Sequence, residues 1–157
     1  MPTHFQFHLL VDGYSVIHAW DDLRKAHQRQ LSMGRALLIA ALTRLQDAGE
    51  YKVTVVFDGQ GKKSETALDE SRVQVLFSAQ GQTADSIIER LVAAYKKPGD
   101  IIVVTDDFPE QDTVRSFGAL AHGTEWLKDA LTHADVETQG LIQKIRKKNP
   151  RKGSLPR

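Results

Sequence analysis

Aspartate follows three separate apolar runs of this chain, and this repetition has the clearest chemical meaning. The runs read LLVD at Asp12, VVFD at Asp58 and VVTDD at Asp106 and Asp107. A single aspartate after a strand is commonly a turn former or a helix N-cap, so each residue alone favours a structural role. The repetition favours a shared site, because ligands bind outside the carboxyl ends of the strands in an open parallel sheet.

A predicted helix adds two more carboxylates to this group. The segment TADSIIE, residues 83–89, opens a helix after the third apolar run, with Thr83 as its candidate N-cap. Asp85 and Glu89 are spaced i, i+4, so they share one helix face and lie about 6 Å apart. An acid near a helix start complements the helix dipole, which is a sufficient structural reason for Asp85 and less so for Glu89.

Grouped carboxylates repel one another, so such a site is stable only if it binds a cation or takes up protons. Hard oxygen ligands select Mg²⁺ or Mn²⁺, which keep several waters and bridge to phosphate oxygens. The reaction that uses this arrangement is the hydrolysis of a phosphodiester bond. Zinc does not fit, because the chain has no cysteine and its six histidines show no close ligand spacing.

Apolar runs rich in valine, isoleucine and phenylalanine predict four strands: residues 5–12, 52–58, 73–78 and 100–106. Three of them are nearly continuous, which is typical of strands covered on both faces, whereas the third alternates and suits an edge strand. A weak fifth strand is predicted near Val136.

Helical spacing of apolar residues predicts helices between the strands: residues 33–48, ended by Gly49, then 84–97 and 109–134. The last of these is one helix or a pair, with Gly118 and Gly123 as candidate breaks. Strands that alternate with helices of this length predict an α/β fold with right-handed crossovers and a mainly parallel sheet of four to five strands.

Charge is distributed unevenly along the 157 residues. Residues 144–157 carry seven cations and no acid, whereas the remaining 143 residues carry 14 cations and 20 anions, a net charge of −6. We therefore divide the chain into a domain over residues 1–143 and a basic, flexible tail over 144–157. The tail suggests an anionic partner, although a solvated end that aids solubility is an equal interpretation of charge alone.

The N-terminal segment predicts no secretory signal, since residues 1–6 contain no lysine or arginine and Asp12 breaks the apolar run that follows. No stretch approaches the roughly 18 apolar residues of a membrane span. Together with the absence of cysteine, these features predict a cytoplasmic location and no membrane partner. They do not indicate an oligomeric state.

Five motifs resemble the YacP-like group of NYN/PIN-like domains, and together they span about residues 7–130. They are VDGYSVIHAW (11–20), VVFDG (55–59), TADSIIERL (83–91), TDDFPEQ (105–111) and GALAHGTEWL (118–127). The resemblance implies a PIN-like three-layer sandwich and a metal-dependent endoribonuclease that acts on RNA, with ribosome-associated mRNA as one possible substrate and the ribosome as a partner.

The resemblance also implies roles for individual residues. Asp12, Asp85 and Asp107 are the expected catalytic and metal-binding acids, with Mg²⁺ or Mn²⁺ as the ion. Asp107 is preferred to Asp106 because the family pattern places an acid directly before an aromatic residue. Secondary members of the acidic group are Asp58, Glu89 and Asp106. The expected substrate-binding residues are Ser15, Thr83, Thr105, Lys147 and Lys148.

Two departures from the family pattern keep a second function open. The usual DGYN reads DGYS here, so Ser15 replaces an amide, and Ala121 stands where a basic residue often follows the GAL segment. The alternative is a non-catalytic RNA-binding or ribosome-docking module with the same fold. A phosphoacceptor receiver domain is disfavoured, because paired acids after the first strand and a lysine after the fifth are missing.

Overall fold

Five parallel strands form the central sheet in the computed structural model, which describes residues 5–59 and 73–148. The strands are β1 Phe7–Asp12, β2 Tyr51–Phe57, β3 Gln74–Phe77, β4 Ile101–Val104 and β5 Leu120–His122. Their order is β3-β2-β1-β4-β5, and each neighbouring pair is parallel. The α/β fold with a parallel sheet is confirmed, as is the edge position of β3, and β1 lies at the centre of the sheet.

Helices cover both faces of the sheet. They are α1 Gly13–Ala19, α2 Asp21–Arg29, α3 Leu31–Asp47, α4 Ala84–Ala94, α5 Phe108–Ser116 and α6 Thr124–Lys148, and a 3₁₀ turn at Pro98–Asp100 precedes β4. The predicted helix over 109–134 is a pair, α5 and α6, as the glycine breaks suggested. Gly49, with φ of 98°, follows the end of α3, because only glycine adopts this conformation without strain.

The alternation of side chains along β1 builds the three layers. Leu9 and Val11 are fully buried in the cluster formed with α1, α2, α3 and α6, whereas Leu10, between them, is buried in the cluster formed with α4 and α5. Burying one such leucine stabilises the fold by roughly 2 kcal/mol. Because both faces of β1 are covered by helices, its sequence is continuously apolar rather than alternating.

The fifth strand was predicted in the wrong place. Val136 lies in α6 and is exposed, and the fifth strand is the three-residue β5, which pairs with β4. A strand of three residues is too short to show a periodic pattern, so β5 is defined by its partner strand. Helices α1 and α2 were also not predicted. Helix α1 begins at Gly13, directly after β1.

Helix α6 continues into the segment predicted to be a flexible tail. The predicted boundary between residues 143 and 144 falls inside this helix, which ends at Lys148. Its buried residues stop at Ala134, and none of residues 135–148 is buried. The rest of the predicted tail, residues 149–157, lies outside the described residues.

Within the described ranges, no helix is both long and apolar enough to cross a membrane.

Candidate metal centre

Asp12 ends the central strand and is at the same time the N-cap residue of α1. Its side chain is half-buried, and its Oδ2 atom accepts a hydrogen bond of 3.3 Å from the hydroxyl of Thr105, which follows β4 and is fully buried. Gly13 allows this tight passage from strand to helix. A Cβ atom there would clash with the ring of Phe57, so any larger residue would force this buried ring to move.

Asp85 is the second residue of α4, the helix that follows the edge strand β3. The start of this helix is defined by a capping box: Thr83 Oγ1 accepts from the backbone N–H of Ser86 at 3.1 Å, and Ser86 Oγ accepts from the backbone N–H of Thr83 at 3.3 Å. The predicted N-cap at Thr83 is therefore confirmed. Because this cap does not use Asp85, its carboxylate is free to face the sheet edge.

Glu110 is the third residue of α5, the helix that follows β4, and its side chain is only 2% exposed. In a capping box this position would accept a hydrogen bond from the N-cap backbone. Here the N–H of the N-cap residue Asp107 donates instead to Thr105 Oγ1 at 3.2 Å. The backbone N–H of Glu110 itself donates to Asp107 Oδ1 at 3.4 Å. The local structure of α5 thus leaves the Glu110 carboxyl unused.

The side chains of Asp12, Asp85 and Glu110 converge at the carboxyl edge of the sheet. One carboxylate oxygen of each residue lies within 4.8 Å of the others. Burial, reinforced by the negative charge of Asp85, raises the pKa of Asp12 from 3.8 to about 6. Burial also raises the pKa of Glu110 far above its usual range, and a protonated Glu110 can donate a hydrogen bond to Asp85. The group therefore resists being fully ionised without a counter-charge.

The two oxygens of Glu110 provide an independent sign that a cation belongs here. Both are buried, and neither has a hydrogen bond of good geometry with a described residue. The carboxyl of Asp85 and the Thr105 hydroxyl lie close enough to affect the pKa of Glu110, but that hydroxyl donates to Asp12. A buried carboxylate without a donor is costly, unless it binds a proton or a metal ion. Three carboxylates from three different elements match the oxygen ligands that Mg²⁺ and Mn²⁺ prefer. The residues of this group therefore fit a divalent ion.

Asp58 and Asp106 lie at the ends of strands as predicted, but their side chains serve the fold. Asp58 accepts a hydrogen bond of 2.8 Å from Ser78 Oγ. Asp106 accepts two hydrogen bonds from Thr124 at the start of α6, one from the backbone N–H and one from the hydroxyl, each 2.8 Å long. These partners satisfy the carboxylates without an ion.

Asp107 and Glu89 do not belong to the set that converges within 4.8 Å. Asp107 is exposed and caps α5, although its charge reaches Asp12 and makes a small contribution to raising the pKa of that carboxyl. Glu89 is half-buried on α4, one turn after Asp85. Metal binding by Asp107 stays a prediction.

The predicted substrate-binding residues occupy different environments. Ser15 Oγ accepts a hydrogen bond of 2.9 Å from the backbone N–H of Asp106 and so ties α1 to the segment after β4. Thr105 is buried and orients Asp12, whereas Thr83 is exposed at the start of α4. Lys147 and Lys148 are exposed at the end of α6. Substrate contact by these five residues stays a prediction.

Glu110 and Arg35 have functional potential that the sequence analysis missed. The sequence signal for Glu110 was the segment that begins at Asp107, in which an aromatic residue, a proline and then Glu110 follow. Proline is common at the start of a helix, so this order places Glu110 in the first helical turn, as Asp85 is in α4. Arg35 of α3 donates a hydrogen bond of 3.2 Å to the hydroxyl of Tyr14. It forms no ion pair within the described residues, and nothing in its local sequence distinguishes it from other surface arginines.

Comparisons with known proteins identify the family of this chain. A family model described as the YacP-like NYN domain matches residues 9–156. "Uncharacterized protein YacP" of Bacillus subtilis (strain 168) is 31% identical over 144 residues, which are 90% of this chain and 85% of that protein.

Two crystal structures of Rae1 (YacP) from Bacillus subtilis, one of a mutant, are also similar. The first has a TM-score of 0.73 at 32% identity and covers 90% of this chain and 83% of that one. The mutant has a TM-score of 0.74 at 30% identity and covers 88% and 82%. The resemblance and the fold predicted from the sequence are thereby confirmed.

Proposed function

This chain belongs to the family of YacP-like NYN domains, and on that premise we propose that it is a divalent-metal-dependent endoribonuclease. The fold is nuclease-like. The observation that carries the proposal is the buried, unpartnered carboxyl of Glu110 beside Asp12 and Asp85. A carboxylate cluster built only to stabilise the fold would have donors within the fold, as Asp58 and Asp106 do.

Asp12, Asp85 and Glu110 would hold Mg²⁺ or Mn²⁺, with Asp107 as a further predicted ligand. A bound ion of this kind activates water and neutralises the charge that develops on a phosphodiester during hydrolysis. The chain's own residues orient the ligands. The hydroxyl of Thr105 directs Asp12, and the caps of α4 and α5 fix the helices that carry Asp85 and Glu110. Pre-positioned ligands reduce the reorganisation that binding requires.

Contact with the RNA backbone is assigned to cations outside the acidic group. Arg35 donates a hydrogen bond to the hydroxyl of Tyr14, a residue that follows Asp12 by two positions. The Arg35 guanidinium is 5.8 Å from the centre of the Phe77 ring. With neutral neighbours on both sides, its charge is available to a phosphate, which a guanidinium binds with two parallel hydrogen bonds.

RNA contact by Lys147 and Lys148 stays a prediction of a separate surface. Helix α6 starts beside Asp106 and has already reached Glu50, ahead of β2, by Glu137, so its end lies beyond the opposite edge of the sheet, far from Arg35. Docking to the ribosome and a cytoplasmic location also remain predictions.

The deciding experiment is an RNA cleavage assay with the purified full chain. Mixed single-stranded RNA is incubated with Mg²⁺ or Mn²⁺, and in parallel with EDTA, for wild type and Asp12→Asn. We expect internal cleavage in the presence of metal, none in EDTA, and a residual rate below about a tenth for Asp12→Asn, which corresponds to a loss of more than about 1.4 kcal/mol. Cleavage that persists in EDTA contradicts the proposal.

The same assay tests the second candidate function, a non-catalytic RNA-binding or ribosome-docking module. The observation that favours it is the cationic end of α6, where Arg146, Lys147 and Lys148 are exposed. None of residues 135–148 is buried, so this part of the helix is open to a partner. RNA that binds without being cleaved under any metal condition would support this module and exclude the nuclease.

A further inference from the structure

We infer that Phe108 is a stacking platform for an unpaired base of the RNA substrate. The inference rests on the proposed function. Phe108 is the first residue of α5, and its side chain is 73% exposed, more than any other large apolar side chain that the structure describes. An aromatic ring presented to solvent beside an acidic centre has no partner within the described fold.

The backbone that carries this ring is held firmly in place. Ser15 and Thr105 accept hydrogen bonds from the backbone N–H groups of Asp106 and Asp107. On the other side, Gln111 Nε2 donates to the backbone carbonyl of Thr105 at 2.7 Å. The proline that follows Phe108 restricts the backbone further. A ring on such a support loses little conformational freedom when a base stacks on it.

The position of Phe108 relates the ring to the acidic group. Glu110 follows two residues later in the same helix turn, so the two residues lie on different faces of α5, one toward solvent and one toward the cluster. Phe108 also directly follows Asp107, whose charge acts on Asp12. We expect a nucleotide whose phosphate reaches the acidic group to have a base within reach of Phe108. Every base has a flat π-face, so such stacking is tolerant of sequence, and it requires a base that is not already paired.

Phe117 offers a matched control at the other end of the same helix. It is the C-cap residue of α5 and is 45% exposed, but it lies beside Gly118, whose Cβ position faces Pro98 ahead of β4. This places Phe117 at the amino edge of the sheet, away from the acids. A lone exposed phenylalanine is common in soluble proteins. If Phe108 were only that, its replacement would have the same small effect as replacement of Phe117.

The test is binding of a short single-stranded RNA that contains 2-aminopurine, measured in EDTA so that the RNA stays intact. We expect Phe108→Ala to bind about 5- to 100-fold more weakly and to lose the fluorescence change that stacking causes. Phe108→Leu should be as weak, because leucine is apolar but not flat, and Phe108→Trp should restore both signals. Phe117→Ala should bind like wild type, and the melting temperatures of all four variants should match that of wild type.

Wild-type binding by Phe108→Ala, or full restoration by leucine, would overturn the inference, as would a wild type that binds no RNA in EDTA. Duplex RNA of the same sequence should show no difference between wild type and Phe108→Ala. The binding signal does not depend on cleavage. If the base stacks on Phe108 but RNA is not cleaved in Mg²⁺ or Mn²⁺, the nuclease proposal is refuted and the stacking platform is kept. If Phe108→Ala cleaves RNA at the wild-type rate with an unchanged KM, the stacking platform is refuted and the nuclease proposal is kept.

Discussion

Two sets of carboxylates at the same edge of the sheet differ in their hydrogen-bond partners. Asp58 and Asp106 are exposed and accept short hydrogen bonds from Ser78 and Thr124. Asp12, Asp85 and Glu110 are half-buried or buried, and Glu110 has no donor within the described residues. Acids of both sets thus lie at the same edge of the sheet, and the hydrogen-bond donors around each carboxylate distinguish the structural acids from the candidate metal ligands.

The difference has an energetic consequence of opposite sign for the two sets. An exposed carboxylate that caps a helix stabilises the fold in its ionised form. A buried carboxylate among other carboxylates destabilises the metal-free fold when it ionises. Replacing an acid by a neutral residue should therefore lower stability in the first set and spare or raise it in the second.

The largest expected effect is the loss of RNA cleavage in Glu110→Gln. Loss of one ligand removes several kcal/mol of transition-state stabilisation, so we expect the rate to fall by about a thousandfold. Asp58→Asn is the matched control, because its carboxylate already has a partner, and it should retain a rate within about threefold of wild type. Rates at saturating Mn²⁺ measure both. Equal losses in the two variants would erase the proposed distinction.

The next effect is the pH dependence of stability without metal. Because the pKa of Asp12 is raised to about 6 in the folded chain, the native state holds its proton longer than the unfolded state does. The contribution of Asp12 to the free energy of unfolding should be highest below about pH 4 and fall as the pH rises through about 6, by up to about 3 kcal/mol. Urea unfolding in EDTA at several pH values measures this fall.

The contribution of Asp12 is isolated by Asp12→Asn, in which the fall should shrink by that amount, and by Asp58→Asn, in which it should persist. Mn²⁺ should stabilise wild type more at pH 8 than at pH 5, because the ion competes with protons for the carboxylates. If the free energy of unfolding falls with pH equally in wild type and in Asp12→Asn, ionisation of Asp12 does not destabilise the fold.

The smallest effect is structural. Asp106→Ala removes both acceptors for Thr124 at the start of α6, so we expect a loss of about 1–2 kcal/mol and a melting temperature lower by roughly 3–6 °C. Asp112→Ala is its control, since Asp112 forms only an exposed contact of 3.8 Å with Arg115 and should shift stability by less than about 0.5 kcal/mol. Cleavage per folded Asp106→Ala molecule should stay near wild type. A loss of cleavage as large as that of Glu110→Gln would show that Asp106 belongs to the metal centre.

The sequence by itself determined where β1 to β4 lie along the chain and the edge of the sheet at which their terminal acids gather. Continuous apolar runs are local features, and the parallel direction follows from the helices between them, so Asp12, Asp58 and Asp106 could be assigned to one edge without coordinates. Thr83 as the cap of α4 was predictable for the same reason, because its partner Ser86 lies three residues away.

Only the tertiary structure decided which acids remain without partners. Asp58 meets Ser78 across 20 positions, Asp106 meets Thr124 across 18, and Thr105 meets Asp12 across 93. No local pattern encodes such contacts, because they depend on the strand order and on the register between elements. For that reason, the sequence gives Glu110 no feature that distinguishes it from other glutamates in the first turn of a helix. Its burial beside Asp12 and Asp85 follows from the fold, which brings the starts of three helices to one edge of the sheet.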